Sequence, residues 1–122
     1  MQEHIPIWVA GYGPNKRPFR RAAQWDGAAP AEMAIRPEGF AIVPRSPETM
    51  AAVKAYIDQH RPRPAPYDLI VSRTLPESPA AAAALVRAFE AAGVTWLLRD
   101  LLPWEVSLAQ AFALVRAGPA RP

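Results

Sequence analysis

Gly11 and Gly13, near the start of the chain, stand between an apolar segment and a basic one. Residues 5–10 are a short, β-rich apolar run typical of a buried strand, and residues 15–24 predict a basic, alanine-containing helix. A turn between strand and helix leaves backbone N–H groups free beside the positive end of the helix dipole, which favours a phosphate. Glycines also occur in such turns for steric reasons alone, so both interpretations stay open from these residues.

Four basic side chains follow the glycines. Lys16 and Arg17, in the first helical turn, would add charge-assisted contacts to a phosphate at Gly13. The alternative for all four is a solvated helix face, which we favour for Arg20 and Arg21 because they lie one turn deeper in the helix.

Other catalytic arrangements fail on inspection. His4 and His60 are the two histidines, and neither has a second ligand at metal-binding spacing, so no metal site is predicted. Ser72 and Ser78 lack a neighbouring histidine or a nucleophile-elbow motif. The chain has no cysteine, which excludes disulfides and thiolate catalysis. No catalytic residue is therefore predicted, as expected where a cofactor supplies the chemistry.

The elements that must position these residues alternate between strand and helix. Ser46-Pro47 and Ser78-Pro79 each offer an N-cap and a proline for the first helical turn. The patterns predict strands at 5–10, 26–29, 68–72 and 95–98, and helices at 15–24, 47–59, 79–92 and 108–117. Four βα units of this kind favour a parallel sheet. Residues 30–45 are predicted to form a loop over the strand ends, with 40–43 covering apolar surface.

Several segments together resemble the luciferase-like monooxygenase family of flavin- and deazaflavin-dependent oxidoreductases. They begin with Trp-Val-Ala-Gly-Tyr-Gly-Pro at 8–14 and Arg-Arg-Ala-Ala-Gln-Trp-Asp-Gly at 20–27. The resemblance continues at 67–72 and 91–98 and closes at 103–104 and 116–119, with 28–46 the poorest match. It implies a (β/α)8 barrel, which typically needs about 250 residues. Since the chain has 122, the expected fold is one half-barrel domain over 1–122, strands five to eight, with a frayed tail at 119–122.

The resemblance also implies a cofactor site. It places the phosphate of FMN or a deazaflavin over Gly11, Tyr12 and Gly13, with Lys16 or Arg17 adding charge. Trp96 would line a substrate pocket beside the flavin ring, although a tryptophan on a barrel strand is also an ordinary core residue. Where relatives commonly show a second aromatic and then an acidic residue, this chain has Leu-Leu-Arg at 97–99. Arg99 therefore reverses the sign of the charge near the mouth of the strand.

Two functions from different classes follow. In the first, the chain is a fragment or subunit of a flavin- or deazaflavin-dependent oxidoreductase that acts only with a separate N-terminal half-barrel chain. In the second, it is a non-catalytic half-barrel assembly module or remnant. An N-terminal-half reading frame directly upstream in the genome would favour the first.

A half-barrel also exposes two sheet edges and an apolar inner face. We expect this face to consist of six apolar residues or of their alternating neighbours in the strands. The six residues are Ile7, Val9, Leu69, Val71, Trp96 and Leu98. A homodimer would cover the face, and the alternative is that residues 30–45 fold across it, with Phe40, Ile42 and Val43 as the cap.

Composition narrows the class of protein. Apolar residues make up 51% of the chain, yet no run is long enough for a membrane span and no signal peptide is visible, so a cytoplasmic protein is expected. The net charge is +3, but the basic residues are scattered and form no stripe with aromatics, which argues against nucleic-acid binding. The proline-rich segment 61–66 is expected to be a stiff connection rather than a peptide ligand.

Overall fold

The computed structural model describes residues 4–37, 39–43, 45–62 and 64–119. These residues form an α/β fold with five strands and four helices. The strands are β1 Trp8–Gly13, β2 Gly27–Arg36, β3 Gly39–Val43, β4 Asp68–Arg73 and β5 Trp96–Arg99. The helices are α1 Arg17–Ala22, α2 Pro47–His60, α3 Pro79–Ala91 and α4 Leu108–Ala117.

Four of the strands form a parallel sheet in the order β1-β2-β4-β5, which is also their order along the chain. Trp8 to Gly13 pair with Gly27 to Glu32, and Ile70 to Arg73 pair with Trp96 to Arg99. The contact between β2 and β4 is short and covers two residue pairs at the start of each strand. The predicted α/β class with parallel strands is confirmed.

The segment predicted as a loop at 30–45 instead forms an antiparallel hairpin. Strand β2 continues to Arg36, and β3 pairs with it from Glu32 opposite Val43 to Arg36 opposite Gly39. Gly39 has a φ of +133°, a conformation that L side chains rarely adopt, which suits the hairpin reversal. The loop prediction was wrong because Gly39 adopts the positive φ that allows the chain to reverse between two paired strands. The expected cap by the side chains of Phe40 and Ile42 lies outside the described residues.

Serine caps begin three of the helices. The Ser46 hydroxyl accepts a hydrogen bond from the Thr49 backbone N–H at 3.3 Å, and Ser78 does the same for α3. Ser107 forms a capping box with Gln110 at the start of α4. Because the caps and the following prolines fix the starts of helices, the predicted bounds of α2, α3 and α4 agree with the structure to within a residue or two.

The hydrophobic core lies between one face of the sheet and α1, α2 and α3. Its largest fully buried side chains are Phe89, Met50, Ile57 and Leu69. Val9, Leu69 and Val71, expected on the inner face of a half-barrel, pack toward these helices instead. Their alternating neighbours take that place on the other face, which we call the open face. It carries Trp8, Ala10, Tyr12, Ile70, Ser72, Trp96 and Leu98.

Helix α4 is an exception, since none of its residues is buried. Leu108, Phe112 and Val115 on its apolar stripe are all more than half exposed. Within the described ranges no helix has the length and apolar character needed to cross a bilayer. Of the tail predicted to fray, residues 120–122 lie outside the described residues.

Candidate functional site

The carboxyl ends of the parallel strands gather at one edge of the sheet, where ligand sites of parallel α/β folds lie. Strand β1 extends to Gly13, three residues beyond its predicted end, so Gly11 and Gly13 belong to the strand and not to a turn. Neither glycine has a positive φ. The expected turn falls at residues 14–16, directly before α1.

Close packing explains the absence of side chains at both positions. A Cβ on Gly11 would lie 2.9 Å from Phe19 Cε1 and 2.9 Å from the Pro18 Cβ, so Gly11 lets α1 pack against β1. A Cβ on Gly13 would collide with the Nη2 atom of Arg45. The second glycine therefore makes room for a cationic group, which sequence reasoning did not include.

Arg45 lies at the junction of β3 and α2 and is the one charged residue in the described ranges that is buried, with 6% of its surface exposed. Its Nη2 donates to the Ala31 carbonyl at 2.8 Å, and its guanidinium lies over the Phe19 ring, 5.6 Å from the centroid. Among the residues the structure describes, its Nε has no hydrogen-bond partner and no carboxylate forms an ion pair with it. This cation has lost hydration, and the nearby Glu32 carboxylate acts on it without forming a direct ion pair.

The pKa of Arg45 reflects this environment. Burial of the guanidinium lowers its pKa, and the carboxylate of Glu32 partly opposes that effect. Arg45 nevertheless stays protonated, because the pKa of an arginine lies far above neutrality. An anion beside the group would offset the cost of its burial.

A cavity of about 250 Å³ adjoins Arg45 between the end of β1, α1 and α2. Its wall includes Gly13, Lys16, Glu32 and Tyr56. The ammonium of Lys16 lies 5.2 Å from the centroid of the Tyr56 ring, at the same mouth. Two cationic side chains and one carboxylate thus give this small cavity a net positive charge.

The other predicted cofactor residues do not line this cavity. The side chain of Tyr12 is exposed on the open face of the sheet. Arg17 is exposed at the first position of α1, and its backbone N–H donates to the Asn15 side chain at 3.0 Å. Arg20 and Arg21 are exposed at the end of the same helix, as expected for a solvated face.

The structure does not bring Trp96 and Arg99 together. Trp96 is the first residue of β5, at the amino end of the sheet and on the open face, and its indole donates to Asp68 at 3.1 Å. Arg99 is the last residue of β5 and lies on the opposite face. The two predicted substrate residues are thus separated by both the length and the thickness of the sheet.

A larger cavity, of about 870 Å³, lies beside Arg99. Its walls are the loop after β4, the start of α3 and one side of α4, and they include Glu77, Asp100 and Glu105. Asp100 accepts a hydrogen bond from the Ser72 hydroxyl. One wall of this cavity is a helix with no buried residue.

Two carboxylates organise the amino end of the sheet. The Asp68 side chain accepts hydrogen bonds from the indoles of Trp8 and Trp96 and from the Thr95 hydroxyl. Asp26 accepts from the backbone N–H of Ile7 at 2.7 Å, which is the main reason that its pKa lies below the usual value. These contacts join β1, β2, β4 and β5 and leave neither carboxylate directed at a ligand.

Arg45 is the residue that sequence reasoning missed. A single arginine between two prolines carries no recognisable motif, and its burial depends on the hairpin that was predicted as a loop. In the part of the chain that the structure describes, no cluster of three or more histidine, aspartate and glutamate side chains is placed to hold a metal ion.

Comparison of the chain with protein-family models, with curated protein sequences and with solved structures finds no significant match.

Proposed function

We propose that this chain is a half-barrel subunit or fragment of a luciferase-like, flavin- or deazaflavin-dependent oxidoreductase, and that it binds the phosphate of the cofactor at the end of β1. The observation that carries the proposal is the buried guanidinium of Arg45, whose Nε has no hydrogen-bond partner among the described residues, beside the cavity at Gly13 and Lys16. The resemblance predicted a phosphate at this strand end from the glycines and the lysine. Arg45 adds a second cationic side chain beside Lys16 at the same cavity, and guanidinium groups are common phosphate ligands.

The topology supports the half-barrel. In a (β/α)8 barrel each parallel strand pairs with the next one along the chain and all helices lie on the outer side. In this chain the parallel strands also pair in chain order, β1-β2-β4-β5. Helices α1 to α3 also pack on a single face of the sheet. A doubly wound sheet, by contrast, reverses its strand order at a switch point and has helices on both faces.

The size of the cavity limits what it can hold. Cavities for drug-sized ligands span roughly 300–1,000 Å³, so 250 Å³ suits a phosphate and the start of its ribityl chain but not an isoalloxazine ring. The ring would lie toward surfaces that another half-barrel supplies. The cofactor supplies hydride transfer or oxygen activation, while the residues of this chain hold its charged end.

Calorimetric titration with FMN, riboflavin and inorganic phosphate tests the proposal. We expect FMN and phosphate to compete for one site, and riboflavin, which lacks the phosphate, not to displace phosphate. Lys16→Gln should weaken phosphate binding roughly three- to tenfold, which corresponds to about 1 kcal/mol. Arg20→Gln removes the same charge from the exposed part of α1 and is the matched control. Equal affinity in Lys16→Gln and the wild type, or tight riboflavin binding at this cavity, would contradict the proposal.

The conservative change Arg45→Lys separates geometry from charge. Lysine keeps the positive charge but loses the planar fork that contacts the Ala31 carbonyl and the Phe19 ring. We expect phosphate affinity to fall more than in Lys16→Gln, with the fold retained by circular dichroism.

A further inference from the structure

A carboxylate lies in the wall of the cavity at Arg45, where the proposed function places a phosphate. Glu32 on β2 is paired with Gly13 on β1, and both residues line the cavity on the helix side of the sheet. Lys16 and Arg45 line the same cavity. A negative charge in the wall repels an anion, so attraction of the phosphate by the two cations does not explain the presence of Glu32.

Glu32 does not act as a directly bonded counter-ion of Arg45. Among the residues that the structure describes, no ion pair joins Glu32 to Lys16 or Arg45. The Nη2 of Arg45 donates to the Ala31 carbonyl at 2.8 Å instead. Burial lowers the pKa of Arg45, and the Glu32 carboxylate opposes that effect from a distance. The carboxylate is therefore available as a hydrogen-bond acceptor toward a ligand in the cavity.

An ionised carboxylate accepts hydrogen bonds and donates none. Beside a bound oxyanion it is favourable where the oxyanion brings a proton, because the O–H of the oxyanion then donates to the carboxylate in a charge-assisted hydrogen bond. From these positions we infer that Glu32 accepts a hydrogen bond from a protonated oxygen of the bound anion, so that the cavity selects phosphate over sulfate. This inference rests on the proposed phosphate site and adds the protonation state of the ligand that the site takes.

Phosphate and sulfate separate this hydrogen bond from charge and shape. Both are tetrahedral oxyanions, and at about pH 8 both are mainly dianions. Hydrogen phosphate still carries one proton at this pH, whereas sulfate carries none. Lys16 and Arg45 attract the two dianions alike, and a Glu32 that acted by its charge alone would repel them alike. A difference in affinity between the two anions therefore reports the hydrogen bond to Glu32.

Calorimetric titration of the chain with phosphate and with sulfate, at about pH 8 and constant ionic strength, tests the inference. We expect the wild type to bind phosphate about tenfold more tightly than sulfate or better, which is the effect of one charge-assisted hydrogen bond. In Glu32→Gln the amide donates to either anion, so sulfate affinity should rise and the ratio should fall to about threefold or less. Glu48→Gln is the matched control, since it removes the same charge from the exposed first turn of α2, outside the cavity wall. It should keep the wild-type ratio within about twofold.

The wild type decides the inference even without a substitution, because equal affinities for phosphate and sulfate would overturn it. A Glu32→Gln variant that is folded by circular dichroism, binds both anions more tightly and keeps the wild-type ratio would also overturn it, since Glu32 would then act by charge alone.

Failure of the proposed function gives different results. If the wild type bound neither anion, the phosphate site and the inference would both be wrong. If phosphate were preferred over sulfate through Glu32 but FMN did not displace it, the selection by Glu32 would stand and the assignment of the cofactor would fall.

Discussion

Gly11→Ala tests the different roles that the structure gives to the two glycines of β1. The new methyl group would lie 2.9 Å from Phe19 and Pro18, whereas ordinary contacts begin near 3.4 Å. Helix α1 would have to retreat by about half an ångström from the strand. Overpacking of this kind costs about 1–3 kcal/mol, and the lower entropy of the unfolded alanine variant returns about 0.4–1 kcal/mol. The expected net loss is about 1–2 kcal/mol.

Urea unfolding at a fixed protomer concentration measures this loss, and calorimetry with inorganic phosphate measures binding. Gly11→Ala should lower the unfolding midpoint and leave phosphate affinity within about twofold of the wild type. Gly13→Ala should leave the unfolding midpoint nearly unchanged and lower the phosphate affinity. Its Cβ displaces the end of the flexible Arg45 side chain rather than a packed ring. If Gly11→Ala abolished phosphate binding at unchanged stability, the packing argument would be refuted and the glycine would be a direct ligand position.

Three further predictions concern stability and activity. Phe89→Ala should lower the free energy of unfolding by about 3–5 kcal/mol in urea titrations, because Phe89 is 1% exposed at the centre of the core. Burial raises the pKa of Tyr67 to about 12, so the fold favours its neutral phenol. The contribution of Tyr67 to the free energy of unfolding is complete below pH 10 and is lost as the pH rises toward 12. In unfolding experiments, Tyr67→Phe should remove this part of the decline in stability at high pH. The chain alone should show no flavin-dependent turnover in an assay for oxidation of reduced cofactor, since binding a phosphate by itself gives no transition-state stabilisation; sustained turnover without a partner would contradict this.

Local signals decided which parts of the fold were predictable. The Ser-Pro starts and apolar stripes of α2 and α3 lie within each helix itself, and the structure reproduces them. The hairpin of β2 and β3 was predicted as a loop, although a glycine such as Gly39 between two apolar segments is a recognised hairpin signal. The end of β1 was placed too early because its glycines were assigned to a turn.

The candidate site was predictable only in part. Gly13 and Lys16, two of the residues predicted to contact a phosphate, line the cavity. Arg45 reaches the same cavity from the far end of the hairpin, and no local pattern reports such a long-range contact. Trp96 was expected near the carboxyl end of β5, but that strand begins with it. The predicted strand, 95–98, differs from the observed one by a single residue, so the error lay in where Trp96 was placed along the strand.

The small side chains of β2 make the open face uneven, and we call this unevenness its relief. Ala29 and Ala31 form a trough about one strand spacing wide, near 4.8 Å. Tyr12 on β1 lies along one side of it, and Leu98 on β5 lies on the other side beyond β4. At the amino end the Trp8 indole lies over Gly27 and reaches Asp68 and the Trp96 ring, so the trough is closed there. A flat surface laid on this relief would leave the trough empty. Any surface that fills it must carry bulky side chains in register with the trough, so the relief fixes how far a partner is displaced sideways.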